Sequence, residues 1–424
     1  MTLSSSHHLG SDILLDVIIF AKPETSKGQE IHVEIGKSSG MVYDNKSGKN
    51  VSRQFDFLRL FAIFISRKKM DPTGEIKFTP ISNVGEFKLI DKFKSIASKF
   101  STPAVLHGMG DDASVLKLSP DKHTLVTTDT LIQAVHFDLS YTSMRHLGQK
   151  AAMINLSDIA AMSGLPIAAF VSLGIHSNVS VEMVEEFYEA LADELGKFNC
   201  VIAGGNTSSS PIGFIIDITL IGEVEPDRQV LRSGAKAGDI VCMTGDLGRS
   251  KAGMKILQRE KERYIKSDQP SHFVPNFEGY DDALQKHLLP QARVALSRTL
   301  TEKIRVHSMI DISDGLVSDM MHICAANNVA AELEEELIPI DPITRKVAEE
   351  FGESGLDYAL FGGEDYELLF TISEKDFSKL YSLEGNVRAI GKMKEGEPKI
   401  VLHHKDGTIE EYKDYLSYQH FVKQ

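Results

Sequence analysis

The sequence predicts an α/β protein of two domains, and three observations support this fold class. From Gly85 onward, short β-branched or apolar runs alternate with longer runs of helical spacing, which is typical of chains in which strands and helices follow one another. A segment rich in turn residues, 232–239, separates two such series. The chain has 424 residues, enough for more than one hydrophobic core. We therefore expect an N-terminal extension at residues 1–82, a first domain at 83–226 and a second domain at 227–424.

The elements of each domain follow from the spacing of apolar residues. In the first domain the predicted elements are a strand at 124–130, a helix at 147–162, a strand at 168–175, a helix at 181–197, and strands at 200–203 and 213–222. In the second domain the pattern predicts strands at 240–244 and 308–310, a helix from Leu316 and a surface loop at 272–282.

Residues 1–82 lack this regular alternation. They contain Ser- and Lys-rich stretches, and Met70 stands between the irregular part and the regular part. Two interpretations stay open: an appended extension, or a translation start placed too early.

The charge balance argues against a nucleic-acid partner. The chain has 60 acidic and 46 basic residues and a formal net charge of −14, and no basic block would follow a phosphate backbone or an anionic membrane. No apolar run reaches the roughly 18 residues that a membrane-spanning helix needs. Cys200, Cys242 and Cys324 are widely spaced and form no C-x-x-C pair, so neither a disulfide framework nor a thiolate zinc site is indicated. We expect a cytoplasmic protein without a membrane or nucleic-acid partner.

A glycine turn with two adjacent carboxylates is the most informative local pattern. Residues 108–113 fit the phosphate-binding pattern G-x-G-x-x-[G/A], but Asp111 and Asp112 would repel a pyrophosphate. At about 4 Å and an effective dielectric constant of about 20, each like-charge pair costs on the order of 4 kcal/mol. Mg²⁺ reverses the sign because it prefers carboxylate oxygens. The segment therefore favours a metal loop, with a solvated Asp-Asp turn as the alternative.

Two further carboxylates are candidate ligands of a hard cation. Asp129 ends the strand at 124–130, where Thr127 and Thr128 could add hydroxyl or carbonyl oxygens; a turn residue at a strand end is the alternative. Asp158 lies in the helix at 147–162 on a largely apolar face. A carboxylate in such a place must be paired, metal-bound or protonated, because an isolated buried charge is strongly unfavourable.

The segment Asp311-Ile312-Ser313-Asp314-Gly315 lies where a strand runs into a helix. Both of its aspartates could face one cation. The alternative is an ordinary helix cap by Ser313 or Asp314, and the two roles are compatible because a helix N-terminus also attracts phosphate.

Absent motifs narrow the chemistry. The chain has no G-x-x-x-x-G-K-[ST], no protein-kinase H-R-D and D-F-G set and no H-E-x-x-H. Glu364, in an acidic turn before an apolar strand, and His136 are weaker candidates, since each taken singly is more often an ordinary turn or core residue. The remaining interpretation is that several carboxylates hold more than one Mg²⁺ against a polyphosphate, which suits phosphoryl transfer.

Seven segments, taken in order, resemble the thiamine-monophosphate kinase family of the aminoimidazole ribonucleotide synthetase superfamily. They are Gly85-Glu86-Phe87, Gly108-Met109-Gly110-Asp111-Asp112, Thr128-Asp129-Thr130-Leu131, the run at 155–162, Arg232-Ser233-Gly234-Ala235-Lys236, Asp311-Ile312-Ser313-Asp314-Gly315 and Gly362-Gly363-Glu364-Asp365-Tyr366-Glu367. The resemblance covers the chain from Gly85 to its C-terminus. It implies mixed sheets with helices, a homodimer joined by strands of the first domain, and ATP-dependent phosphorylation of thiamine monophosphate to thiamine diphosphate.

The resemblance also implies roles for individual residues. Metal ligands fall on Asp112, Thr127, Thr128, Asp129, Asp158, Asn206, Asp311 and Asp314; among them Asp112, Asp129, Asp311 and Asp314 carry the catalysis. Nucleotide contacts fall on Gly205, Asn206, Arg232 and Ser313, and substrate contacts on His136, Glu364 and Tyr415. Several Mg²⁺ ions are the implied cofactors, with ATP as co-substrate.

One departure concerns Asn206, because the family usually has Gly-Gly-Asp-Thr where this chain has Gly204-Gly205-Asn206-Thr207. Asparagine keeps an oxygen ligand but loses a charge, so we expect weaker binding of one Mg²⁺. The rival enzymes of the superfamily, selenophosphate synthetase and the hydrogenase-maturation carbamoyl dehydratase, usually carry an N-terminal or C-terminal reactive cysteine or selenocysteine that this chain lacks. A non-catalytic protein that binds nucleotide or thiamine phosphate is the rival from another class.

Overall fold

The computed structural model describes residues 79–84, 86–108, 114–268, 272–380, 387–414 and 416. The predicted extension up to residue 78, the carboxylates Asp111 and Asp112, and Tyr415 lie outside the described residues.

Strands and helices alternate along the described chain, as the sequence predicts. The strands are β1 (Val105–His107), β2 (Val115–Leu116), β3 (His123–Ile132), β4 (Leu165–Ile175), β5 (Val201–Ser209), β6 (Ile215–Val224), β7 (Ile240–Thr244), β8 (Val306–Ile312), β9 (Ala330–Glu334), β10 (Glu367–Ile372), β11 (Val387–Lys394), β12 (Lys399–His403) and β13 (Ile409–Tyr412). The helices are α1 (Ile81–Val84), α2 (Glu86–Ala97), α3 (Met144–Ala161), α4 (Val181–Gly196), α5 (Arg249–Ile265), α6 (Asp281–Leu288), α7 (Val294–Lys303), α8 (Leu316–Asn327), α9 (Pro342–Glu350), α10 (Gly355–Phe361) and α11 (Glu374–Leu380), with a 3₁₀ turn at Glu335–Leu337.

Two mixed sheets divide the described chain. The first has the order β3-β6-β4-β5, in which β6 is antiparallel to both neighbours and β4 and β5 are parallel. The second has the order β13-β12-β9-β11-β7-β10-β8 and combines antiparallel pairs with the parallel pair β9 and β12. The predicted two-domain α/β fold with mixed sheets is confirmed. The change from one sheet to the other falls between Val224 and Ile240; the exact bounds 83–226 and 227–424 stay predictions.

Helix α3 is the element that joins the two halves. Ser143 caps it by accepting a hydrogen bond from His146 N at 3.1 Å, as expected for a serine at a helix start. Gly148 lets α4 approach closely, since a Cβ there would lie 2.3 Å from the carbonyl oxygen of Phe187. On its other side α3 packs on α7 and β8 of the second half, and Ser297 Oγ donates to the carbonyl oxygen of Ala160 at 2.6 Å. The helix is therefore buried over most of its length.

Three strands run further than their sequence patterns indicate, so Asp129, Asn206 and Asp311 lie inside strands and not at or beyond strand ends. Asp129 lies inside β3, which continues to Ile132, because β6 pairs with every residue of that strand. Asn206 lies inside β5, and Asp311 lies inside β8 opposite Leu368. In each case the neighbouring strand satisfies backbone groups beyond the point where the side-chain pattern stops.

The prediction of a surface loop at 272–282 is wrong for its last two residues, because α6 begins at Asp281. Asp281 and Asp282 stand in the first turn of α6, where carboxylates interact favourably with the helix dipole. Among the described residues, no helix is long and apolar enough to cross a membrane.

Candidate functional site

Three carboxylates from both halves of the chain meet beside α3. Asp129 comes from β3, Asp158 from α3 and Asp311 from β8. Asp158 Oδ2 accepts a hydrogen bond from Thr127 Oγ1, and Asp311 Oδ2 accepts one from Ser157 Oγ at 2.7 Å. The latter bond ties α3 to the second half at the point where the carboxylates meet.

Burial raises the pKa of all three carboxyl groups, and neighbouring carboxylates add to the rise for Asp129 and Asp311. Burial raises the pKa of Asp129 from the ordinary 3.8 to about 7, and the charges of Asp158 and Asp217 add to the rise. Burial likewise raises the pKa of Asp311 to about 7; the charge of Asp158 adds to it, whereas the Ser157 hydrogen bond opposes it. Burial also raises the pKa of Asp158, which the Thr127 hydrogen bond and the charge of Arg232 oppose. Without a cation, Asp129 and Asp311 would therefore retain protons up to about neutral pH.

The donor set fits a hard cation. Oδ2 of Asp129 is buried and has no hydrogen-bond partner, although a buried polar atom is costly unless paired. Within the described ranges, no three His, Cys, Asp or Glu side chains already converge on one metal position. Mg²⁺ needs no such cage, because it commonly binds one or two protein carboxylates and takes its other ligands from water and phosphate.

The two threonines of β3 face opposite ways. Thr127 shares the α3 side of the sheet with Asp129, since side chains two apart in a strand lie on one face. Thr128 is exposed on the other face, where Thr219 Oγ1 donates to its Oγ1 at 3.2 Å. Because the Thr128 hydroxyl points away from Asp129, only the carbonyl oxygen of Thr128 remains a candidate metal ligand.

Asn206 lies in a polar row that crosses the first sheet. Register pairs Asn206 with Ser172, Ser172 with Asp217, and Asp217 with Thr130, and paired residues share a face. Thr130 Oγ1 donates to Asp217 Oδ2 at 2.6 Å. This places the Asn206 side chain with Thr130 rather than with Asp129.

The structure also places Gly205 and Arg232, which are predicted to contact the nucleotide. Gly205 has φ of 155° and approaches β4 so closely that a Cβ would lie 1.9 Å from the carbonyl oxygen of Val171. Arg232 is exposed, and its charge lowers the pKa of Asp158. Arg232 therefore stands near the carboxylates.

The loop after β8 is organised by a residue that the sequence interpretation missed. The N–H groups of Ser313, Asp314 and Gly315 each donate to Asp319 Oδ2 at 3.1 Å. The expected cap by Ser313 or Asp314 is wrong, because the cap position of α8 is Gly315, with φ of 116° and no side-chain cap. A Cβ at Gly315 would lie 2.8 Å from the carbonyl oxygen of Leu360. Asp314 remains exposed and Ser313 half-buried.

A second polar cluster surrounds Glu364. Lys150 Nζ lies 3.0 Å from Glu364 Oε1, and His287 Nδ1 lies 3.4 Å from Oε2. Burial would raise the pKa of Glu364, but Lys150 above all, through its charge and its hydrogen bond, and then His287 and His136 lower it overall. Burial, and next Lys150, lower the pKa of His287 to about 3, so His287 is neutral at neutral pH and Lys150 is the charged partner.

His136, a predicted substrate residue, lies near this cluster. Its Nδ1 accepts a hydrogen bond from Ile132 N at 3.0 Å, which fixes the ring in the turn after β3. Its effect on the pKa of Glu364 places it close to that carboxylate. The structure thus brings together His136 and Glu364, which are far apart in the sequence.

Four residues of these clusters escaped the sequence interpretation: Lys150, Asp217, His287 and Asp319. Three had a visible signal. Lys150 is a charged residue in an otherwise apolar helical run, and Asp319 is an acidic residue in the first turn of a helix. Asp217 interrupts an apolar strand, whereas nothing in the sequence around His287 distinguishes it.

Comparisons with known proteins agree with this architecture. The family model described as AIR synthase related protein, N-terminal domain, matches residues 110–224, and the C-terminal domain model of the same description matches residues 236–403. Thiamine-monophosphate kinase of Aquifex aeolicus (strain VF5) is 36% identical over 320 residues, which cover 75% of this chain and 94% of that protein.

Solved structures are similar over the same region. The crystal structure of thiamine-monophosphate kinase from Stenotrophomonas maltophilia K279a has a TM-score of 0.64 and 28% identity, and covers 76% of this chain and 97% of that chain. A structure described as AaThiL complexed with AMPPCP and TMP has a TM-score of 0.59 and 34% identity, and covers 79% of this chain and 96% of that chain.

Proposed function

The chain belongs to the thiamine-monophosphate kinase family, and from that membership we infer that it transfers the terminal phosphoryl group of ATP to thiamine monophosphate, giving thiamine diphosphate. The observation that carries this function is the meeting of Asp129, Asp158 and Asp311 beside the loop that also contacts Glu364. The three aspartates would bind metal and phosphate, and Glu364 nearby would face the cationic ring.

The reaction needs no general base. The acceptor is a phosphate with a second pKa of about 6, so it is mostly an oxyanion at neutral pH. The obstacle is the repulsion between two anions. Bound Mg²⁺ ions supply charge neutralisation and align donor with acceptor. We propose a direct in-line transfer without a phosphoenzyme.

Several Mg²⁺ ions are proposed at the carboxylates. The residues that would hold them are Asp112, Thr127, Thr128 through its carbonyl oxygen, Asp129, Asp158, Asp311 and Asp314. Asn206, whose side chain lies on the opposite face of the first sheet from Asp129, would hold a separate Mg²⁺. The buried Oδ2 of Asp129 and the raised pKa values of Asp129 and Asp311 support this donor set. Asp112 lies outside the described residues, and Asp112→Ala is expected to abolish turnover while leaving the fold intact.

The substrates are proposed to bind on either side of the carboxylates. Gly205, Arg232 and Ser313 would contact ATP. His136, Glu364 and Tyr415 would contact thiamine monophosphate, whose cationic ring suits a carboxylate and an aromatic face. The half-buried carboxylate of Glu364, held by Lys150, supports this assignment.

A homodimer is proposed through the face of the first sheet that lies opposite α3. Val126 of β3 is 65% exposed there, and an exposed branched apolar residue in the middle of a strand favours contact with another chain. We propose a cytoplasmic location, which the three buried free thiols of Cys200, Cys242 and Cys324 support.

The test is a direct assay on the purified full chain. ATP, MgCl₂ and thiamine monophosphate are incubated with the protein, and thiamine diphosphate is measured by chromatography; unphosphorylated thiamine serves as the negative substrate control. Asp311→Asn is expected to lower the rate by on the order of 100-fold or more, whereas Asp357→Asn, at an exposed carboxylate of α10, should keep the wild-type rate. Binding of both substrates without product would favour a non-catalytic binding protein instead.

A further inference from the structure

We propose that Asp319 is a positioning residue that fixes the loop Ser313-Asp314-Gly315 in the form that offers Asp311 and Asp314 to a cation. This inference rests on the proposed function only in taking Mg²⁺ as the physiological cation of the loop. It concerns a residue that would touch neither substrate nor metal, and that acts by fixing the backbone between Asp311 and Asp314.

Asp319 holds the loop from the interior side. Asp319 stands in the first turn of α8, and its Oδ2 accepts three hydrogen bonds of 3.1 Å from successive N–H groups of the preceding loop. A helical side chain leans toward the N-terminus of its helix, so a residue at this position can reach back to the loop. Asp319 is only 2% exposed, and its carboxylate is therefore part of the interior.

The same loop is fixed from its other side. The carbonyl oxygen of Ser313 accepts a hydrogen bond from Glu364 N at 2.7 Å, and that of Ile312 accepts one from Tyr366 N at 2.8 Å. The N–H groups of the loop thus point inward to Asp319, and two of its carbonyl groups are held by the Glu364 segment. The Asp314 side chain is left exposed at the surface of a backbone fixed on two sides.

This arrangement decides which groups of the loop are free to contact a ligand. A helix N-terminus with three successive N–H groups ordinarily attracts phosphate. Here Asp319 uses those backbone donors, so a phosphate at this loop would be reached through the Ser313 hydroxyl or a bound cation and not through the backbone N–H groups. The loop offers the side chains of Asp311 and Asp314 to cations.

The test measures Mn²⁺ as a probe of the cation site, without turnover. Free Mn²⁺ is followed by electron paramagnetic resonance during titration of the full chain in the absence of nucleotide. Asp319→Ala removes the acceptor and is expected to weaken Mn²⁺ binding by about 10–100-fold, as for other residues that orient metal ligands. Asp319→Asn keeps an acceptor oxygen and is expected to stay within about threefold of wild type by the same argument.

A matched control is Asp341→Ala. Asp341 caps helix α9 by accepting a hydrogen bond from Ile343 N at 2.8 Å. The substitution should leave Mn²⁺ binding unchanged. A second measurement is binding of a non-hydrolysable ATP analogue with all divalent metal chelated; Asp319→Ala should bind it no more weakly than wild type.

Three results would overturn the inference: wild-type Mn²⁺ affinity in Asp319→Ala, equal losses in Asp319→Ala and Asp319→Asn, or no Mn²⁺ binding by the wild-type chain. Thermal unfolding of each variant reports folding; if Asp319→Ala does not fold, Asp319→Ser, whose hydroxyl is too short to accept all three bonds, takes its place. Mn²⁺ binding without formation of thiamine diphosphate would refute the proposed function and leave this inference standing.

Discussion

The backbone N–H of Glu364 donates a hydrogen bond of 2.7 Å to the carbonyl oxygen of Ser313. Glu364 is the residue proposed to face the cationic ring, and Ser313 is proposed to face the nucleotide. The two proposed binding surfaces therefore share a backbone contact, and a change on one side can alter the position of the other.

Ser157→Ala should lower the stability of the protein and also change its Mg²⁺ dependence. It leaves the buried Asp311 carboxylate without its 2.7 Å donor, which is expected to lower the free energy of unfolding by about 1–3 kcal/mol and to change the Mg²⁺ concentration for half-maximal rate. Ser297→Ala is the matched control, because it also removes a buried serine bond to the same helix. It should cost similar stability with an unchanged Mg²⁺ dependence. Identical Mg²⁺ curves for the two variants would refute the role of Ser157.

Lys150→Met should affect one substrate more than the other. Lys150 is buried and helps to lower the pKa of Glu364, so its loss should raise that pKa and raise KM for thiamine monophosphate more than KM for ATP. Steady-state kinetics with each substrate varied in turn measure the difference. Lys255→Met, which breaks an exposed lysine–glutamate pair with Glu353, is the control and should change neither constant. Equal increases in both KM values for Lys150→Met would contradict the prediction.

The effect of Mg²⁺ on stability should grow with pH. The pKa values of Asp129 and Asp311 rise from the ordinary 3.8 to about 7 on folding, so between about pH 4 and 7 the folded state binds more protons than the unfolded state. By linkage, these groups make the metal-free protein less stable as pH rises through that window. Mg²⁺ competes with the protons, so its stabilising effect on Tm should be larger at pH 8 than at pH 5.

Comparison with and without Mg²⁺ at each pH isolates this effect. Asp365 also has a pKa raised to about 7, chiefly by burial, but its contribution is common to both conditions because Gly248 N and Ser250 N occupy its oxygens. An Asp129→Asn variant should show a smaller pH dependence of the Mg²⁺ effect. A Tm increase that is independent of pH would show that the carboxylates are not the Mg²⁺ ligands.

Asn206→Asp should lower the Mg²⁺ concentration needed for half-maximal rate. It adds a carboxylate to the row that contains Ser172 and Asp217, and carboxylate oxygens bind Mg²⁺ better than an amide oxygen. Ser208→Asp is the control, since Ser208 is an exposed residue two positions further along β5. Unchanged Mg²⁺ dependence in Asn206→Asp would show that the asparagine has no part in metal binding.

The sequence was sufficient for those features that depend on local pattern. Alternating strands and helices, the apolar setting of Asp158 and the recurrence of carboxylates all predicted the α/β fold and its candidate metal residues. Features that depend on a distant partner could not be predicted in the same way. Thr128 looks equivalent to Thr127 until pairing with β6 fixes which face each occupies.

The start of α8 shows the same limit. Ser313 and Asp314 are both good capping residues by type, yet Asp319 takes the loop N–H groups instead. The choice depends on the φ of Gly315 and on the close approach of Leu360. Neither can be read from a single segment, because both arise from packing between elements.

Helix α3 sets a length for what binds beside it. Lys150, which holds Glu364, and Asp158, which faces the other carboxylates, are eight positions apart on one buried helix, and at about 1.5 Å per residue they are separated by about 12 Å along its axis. A helix packed on both sides cannot stretch or bend to suit a ligand. The helix therefore fixes the distance between Glu364 and the carboxylates at Asp158. A molecule whose charged ring and phosphate are spaced differently would reach only one of these two sites.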